Sequence, residues 1–153
     1  MSQVELTFES ELTATPAQVW EWITSFKGIS AEMWPYMRMT APRGIESIKD
    51  IKITPGQALF RSRIYLFWFL PIDHSELTLI EMKEGEGFIE QSPMGSMKLW
   101  RHERRIVPTP RGSKITDHLT FEPKLAVRIT AWFIRTLFRQ RHKVLRRKLN
   151  AAA

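Results

Sequence analysis

The chain opens on strict alternation. In VELTFESEL (4–12), Val4, Leu6, Phe8 and Leu12 alternate with Glu5, Thr7, Glu9 and Glu11, the period of a strand with one buried face. The period then changes. TPAQ (15–18) offers Thr15 as a cap, Pro16 at the first helical position and Gln18 to complete a capping box. The helix that follows places Val19, Ile23 and Phe26 on one side, with Trp20 and Trp22 flanking, and Gly28 stands where it is expected to end. A second, shorter helix is predicted over 30–34, stopped by Pro35.

From about residue 48 to 122 the pattern is that of strands divided by turns. The turn signals TPGQ (54–57), LPIDH (70–74), KEGEG (83–87), SPMGS (92–96) and PTPRG (108–112) separate the runs LFRSRIYLFWF, SELTLIEM, FIEQS, MKLWRHERRIV and SKITDHLTF. Connections this short predict an antiparallel meander. The last element, from about Leu125 to Leu149, reads as a long helix without Gly or Pro. At 100° per residue, Ile129, Phe133, Ile134, Leu137, Val144, Leu145 and Leu149 share one side, and Arg128, Arg135, Arg139, Lys143 and Arg146 gather opposite. Arg141 breaks the pattern near the middle of the apolar side. It is expected to snorkel past the end of the core, with pairing to a buried carboxylate as the alternative.

These elements predict an α+β fold in a single domain over residues 1–150. A curved antiparallel sheet of about seven strands wraps around a long C-terminal helix, with two short helices after the first strand. The composition is ordinary for a globular chain, 43% hydrophobic and 25% charged over 153 residues. The densest apolar run, IYLFWFLPI (64–72), is too short to span a bilayer and contains Pro71. The absence of cysteine excludes disulfides, thiol catalysis and Cys-type zinc sites, and with no export signal in MSQVELTFES the expected location is the cytoplasm.

Charge changes the picture only locally. The net charge is +7, and residues 133–150 alone carry seven Lys and Arg. Their segregation onto one helical side reads as a solvated back. Single-strand nucleic-acid binding would want aromatic platforms among the densest charge, whereas Trp132, Phe133 and Phe138 precede it, so no nucleic-acid partner is expected. Trp132 points toward the charged side, which leaves open a peripheral membrane contact through this helix, a homodimer contact or a pocket lid.

Element order and residues together resemble the helix-grip fold of the START and Bet v 1-like proteins, the SRPBCC or polyketide cyclase/dehydrase-like superfamily. The resemblance rests on ATPAQVWEWI after the first strand, on LWRHERRI followed by SKITDHLTFEP, and on the closing LFRQRHKVLRRKL. It covers nearly the whole chain and implies a concave sheet face that lines a ligand pocket.

Candidate chemistry lies on the hairpin 97–121. If Ile115, Leu119 and Phe121 face inward, so does Asp117, and on the preceding strand Trp100 and Ile106 share a face with His102 and Arg104. Pairing through the PTPRG turn predicts His102 opposite Asp117 and Trp100 opposite Leu119. A His–Asp pair on an apolar concave face suits acid–base work, or a hydrogen bond that merely holds two strands. The expected wall is Phe8, Trp20, Tyr65, Phe67, Phe69, Met82, Trp100, Arg104, Leu119 and Phe121, with Phe133 and Leu137 from the long helix. The seven methionines suit an adaptable apolar pocket or a loosely specified core.

Other motifs fail. GEGFIE (85–90) has Glu90 where a dinucleotide fingerprint needs its third glycine, no G-x-S-x-G elbow or phosphate loop occurs, and the four histidines lack metal-ligand spacing. No metal and no cofactor are expected. The leading expectation is a carrier or sensor of a small hydrophobic molecule. The alternatives are a cofactor-independent cyclase or dehydratase using His102 and Asp117, and a lipid- or quinone-handling protein at a membrane surface.

Overall fold

The computed structural model describes residues 3–150. β1 (Val4–Leu12) leads into α1 (Pro16–Thr24), α2 (Phe26–Met33) and a short β2 (Met37–Met39). β3 (Ala58–Leu66), β4 (Leu70–Lys83), β5 (Gly87–Gln91), β6 (Met97–Thr109) and β7 (Gly112–Pro123) form the meander, and α3 (Val127–Leu149) closes the chain. The seven strands form one antiparallel sheet in the order β1-β7-β6-β5-β4-β3-β2. Helix α3 packs on β1, β7 and α2 in the hollow of this curled sheet.

The capping box forms: Gln18 N donates to Thr15 Oγ1 at 3.2 Å, and Thr15 N to Gln18 Oε1 at 2.9 Å. The helix boundaries differ from expectation. Ser25, not Gly28, ends α1, and its hydroxyl accepts from Gly28 N at 3.0 Å to start α2. Gly28 is needed for closeness instead: a Cβ there would stand 2.2 Å from Trp22 O.

The β3–β4 turn also differs. It falls at Phe67–Trp68–Phe69 rather than LPIDH, with Phe67 at φ 48° and Trp68 at φ 81°. No local signal marks bulky residues for positive φ. Tertiary contacts hold them: Arg38 Nε donates to Trp68 O at 3.0 Å, and the Trp34 and Trp68 rings meet at 4.6 Å.

The interior has two apolar clusters. One gathers Leu12, Val19, Trp20, Ile23, Ile106, Ile115 and Leu145 among others, and the second gathers Met33, Met97, Leu119, Phe121, Ile134, Leu137 and Phe138. Between them, on the same inward faces of β6, β7, α2 and α3, lie His102, Arg104, Asp117, Glu32, Arg141 and His142, all buried. A charged layer therefore crosses the core.

Candidate functional site

Alternation along β6 and β7 turns His102, Arg104 and Asp117 inward together, but the register differs from expectation by two residues. Trp100 stands opposite Phe121, His102 opposite Leu119 and Arg104 opposite Asp117. The hairpin closes more tightly than a five-residue turn, since Thr109 already pairs with Gly112. A shift of two preserves every face, so His102 still reaches Asp117, diagonally, with Nε2 2.6 Å from Oδ1.

Asp117 is the centre of the layer. Its Oδ1 also accepts from Arg104 Nε at 2.7 Å, and its Oδ2 accepts from Arg104 Nη2 at 2.9 Å and His142 Nε2 at 2.7 Å. An ionised carboxylate only accepts, so both histidines carry a proton on Nε2. Burial alone would raise the Asp117 carboxyl, but the Arg104 guanidinium and His102 outweigh it and hold the group well below the usual carboxylate range.

Glu32, on α2, is the second anion. It accepts from Arg104 Nη2 at 2.8 Å and Nη1 at 3.3 Å, from Arg141 Nε at 3.0 Å and from Trp22 Nε1 at 3.0 Å. Burial works to raise it, and Arg104 with Arg141 brings it below its ordinary value. Burial also works against the charge on Arg104, but Asp117 and Glu32 more than offset that and push it above its ordinary value. Arg141 thus pairs with a buried carboxylate and does not snorkel. The layer ends on β1, where Ser10 Oγ accepts from Arg146 Nη1 at 2.9 Å and lies 2.7 Å from His142 Nδ1. Toward β5, His102 Nδ1 lies 3.8 Å from Glu90 Oε1, and Glu90 Oε2 accepts from Ser92 Oγ at 2.7 Å.

A cleft of about 490 Å³ opens between the sheet and α3 on the side of the second cluster. Its walls come from methionines 33, 37, 39, 94 and 97, from Ile64, Leu66 and Phe67, from Trp100, and from α3 through Ile129, Trp132, Phe133, Leu137 and Phe138. His102, Arg141 and Glu90 border it and also a smaller space of about 90 Å³ toward Ile23, Phe26 and Phe88. The charged layer is thus the floor of the cleft.

Of the expected wall, Phe67, Trp100, Phe133 and Leu137 line this cleft, and so does the candidate acid–base residue His102. The others lie elsewhere. Phe8 stacks on Phe138 at 5.8 Å in the second cluster, and Leu119 and Phe121 are sealed inside it. Trp20 belongs to the first cluster, and Met82 packs against that cluster. Arg104 and Asp117 sit behind the floor, fully buried. Tyr65 lies under the Arg38 guanidinium, 3.9 Å from its ring centre, on the face opposite Ile64 and Leu66. Phe69, displaced by the turn, is 74% exposed.

Four members escaped sequence reasoning. Glu90 shares the inward period with Phe88 and was legible. His142, four residues after Phe138, was legible on the helical wheel. Glu32 and Trp22 were not, because the contact between α1 and α2 had no signal. The expected apolar side of α3 also splits: Ile134, Leu137, Val144 and Leu145 are buried, while Ile129 stands exposed at the mouth of the cleft with Trp132, which was expected toward the charged side.

Comparison with known proteins gives the fold a context. The protein-family model described as Domain of unknown function (DUF8410) matches residues 10–149, and the chain belongs to that family. No curated protein matches it. Among solved structures, protein CV1439 from Chromobacterium violaceum is similar with a TM-score of 0.68 at 11% identity, covering 97% of this chain and 99% of that one. The AHSA1 protein from Silicibacter pomeroyi gives 0.62 at 10% identity, covering 93% and 97%. Ara h 8.0201 gives 0.58 at 12% identity, covering 94% and 97%. The chain has the Bet v 1/SRPBCC-like helix-grip fold. No helix among the described residues is long and apolar enough to cross a membrane.

Proposed function

We propose that this member of the DUF8410 family binds a small, largely apolar molecule in the cleft between the curved sheet and α3, as a carrier or sensor. The observation that carries this reading is the cleft itself: about 490 Å³, walled by Met, Phe, Trp and Leu, with His102, Arg141 and Glu90 at its floor. That volume falls within the usual range for small-molecule sites, and a few polar groups on an apolar wall are what orient a ligand. Transfer of apolar ligand surface from water supplies about 25 cal/mol per Å².

The His102–Asp117 pair is better placed to orient than to catalyse. Asp117 is engaged by four donated bonds, and His102 Nε2 is committed to it. Acid–base work would have to run through Nδ1, beside Glu90.

Native mass spectrometry of the purified protein, repeated after denaturation, tests the reading. A released apolar compound supports it. If the protein is empty and binds no hydrophobic fluorophore, the cleft is not a binding site. His102→Ala separates carriage from a cyclase or dehydratase: a carrier keeps most of its affinity, and an enzyme keeps binding and loses turnover.

A second reading, contact with an anionic membrane at the mouth of the cleft, is favoured by the exposure there. Trp34, Phe67, Trp68, Phe69, Ile129 and Trp132 are all exposed, with Arg38 among them and Arg128 and Arg135 flanking on α3. Phosphatidylserine vesicles should bind at low salt and release at high salt. Equal binding to phosphatidylcholine vesicles, or none to either, removes this reading.

A further inference from the structure

Arg141 borders both the cleft and the space behind it, and is 8% exposed. Its Nε donates to Glu32, but among the described residues neither Nη nitrogen has a hydrogen-bond acceptor. Nor are these nitrogens sealed away: among the described residues the sealed side-chain atoms without partners are Trp20 Nε1 and Ser75 Oγ. The Nη edge is therefore reachable from the spaces that Arg141 borders, held with the Phe138 ring 4.9 Å from the guanidinium carbon. Donors of a charged group facing an apolar space are costly until an oxygen meets them.

Each other ionisable group of the cleft has a hydrogen-bond partner, while Ser75 Oγ has none and is sealed from it. Asp73 accepts from Ser96 and from the His74 backbone N–H, Glu90 accepts from Ser92, and His102 donates to Asp117. Charge decides what kind of oxygen fits. The guanidiniums of Arg104 and Arg141 are matched by Glu32 and Asp117, and Glu90 adds a further carboxylate at the floor. An anionic ligand would enter beside Glu90, in a layer whose guanidiniums already have carboxylate partners. A neutral acceptor would complete Arg141 without leaving a charge unmatched.

Resting on the binding reading above, we propose that the ligand is an apolar molecule whose buried end carries a neutral carbonyl oxygen that accepts from the Nη edge of Arg141. The polar end lies at the floor between α3 and β6, and the apolar body points toward Trp132 and Phe133 at the mouth. Arg141 is thereby a specificity-determining residue for the cleft.

Three probes of one shape test this: 2-ethylnaphthalene, 2-acetylnaphthalene and 2-naphthoate, each measured by displacement of a hydrophobic fluorophore. A hydrogen bond to a charged donor favours the acetyl over the ethyl compound by about tenfold or more. The acetyl compound should also exceed the naphthoate. In Arg141→Met, which leaves no donor at this position, that preference should vanish, while ethylnaphthalene affinity stays within about threefold by the same reckoning.

The infrared carbonyl stretch of bound 2-acetylnaphthalene needs no variant and should shift to lower frequency than in hexane. Equal affinity of the ethyl and acetyl compounds, a tightest naphthoate, or an unshifted stretch overturns the proposal while leaving the cleft a binding site. Binding of none of the three removes the cleft reading and this one with it.

Discussion

Asp117→Asn removes one charge and almost no volume from the middle of the buried layer. Each carboxylate oxygen takes one Arg104 N–H and one histidine Nε2–H. However the new amide is turned, its NH₂ faces one donor of each kind. A histidine can change tautomer to accept, and a guanidinium cannot. Asp117 and Glu32 are the two carboxylates that pair with Arg104, so the substitution leaves the buried Arg104 guanidinium with one anionic partner instead of two.

Breaking such a pair from one side costs about 3–5 kcal/mol. For a chain of 153 residues this corresponds to a fall in Tm of roughly 6–20 °C, at about 2–4 °C per kcal/mol. Urea unfolding of both proteins measures it directly.

The pH dependence provides a second check. The Asp117 carboxyl is lowered in the folded protein from an ordinary value of 3.8, so its contribution is complete above that value and is lost as pH falls through the folded one. The difference between wild type and variant at pH 7 should therefore narrow by about 1 kcal/mol at pH 3, since one group changes stability by about 1.4 kcal/mol per pH unit in that window. A loss below about 1 kcal/mol at pH 7, or a difference that does not narrow in acid, would refute the account of Asp117 as the ionised centre of the layer.

Two further substitutions probe the frame around the site. Gly28→Ala should lower the urea midpoint by the equivalent of about 1–3 kcal/mol, because its Cβ would stand 2.2 Å from Trp22 O and force α1 and α2 apart. It should also disturb the Trp22–Glu32 bond, read as a change in tryptophan fluorescence; an unchanged midpoint would mean that the helices have slack. Thr15→Ala should cost about 1 kcal/mol through the lost cap at Gln18 N, with a Tm lower by about 2–4 °C and ligand binding unchanged.

Much of this architecture is legible because the relevant signals are local. Alternation in residues 4–12 and 113–121 marks two strands that pair over their whole length, and TPAQ marks the start of α1 to the residue. The inward faces of β6 and β7 follow from period two, so His102, Arg104 and Asp117 face inward as expected even though the register is displaced by two. The turn at Phe67–Trp68–Phe69 was not legible. Its positive φ values are held by Arg38 and Trp34, some thirty residues earlier in the chain, and nothing in the tripeptide itself requests them.

The sequence alone determined the order of the main elements, the inward faces of β1, β6 and β7 and the amphipathic division of α3, since these depend on spacing along one segment. The tertiary structure decided what Arg141 is for. On the helical wheel it is a cation in the wrong place, and only the arrival of Glu32 from α2 makes that place a buried ion pair. It also decided that Phe8, Trp20, Leu119 and Phe121 are core while Trp100 and Phe133 border the cleft. Burial and cleft contact depend on how far two surfaces stand apart, a distance set by every side chain between them and by no single segment of the chain.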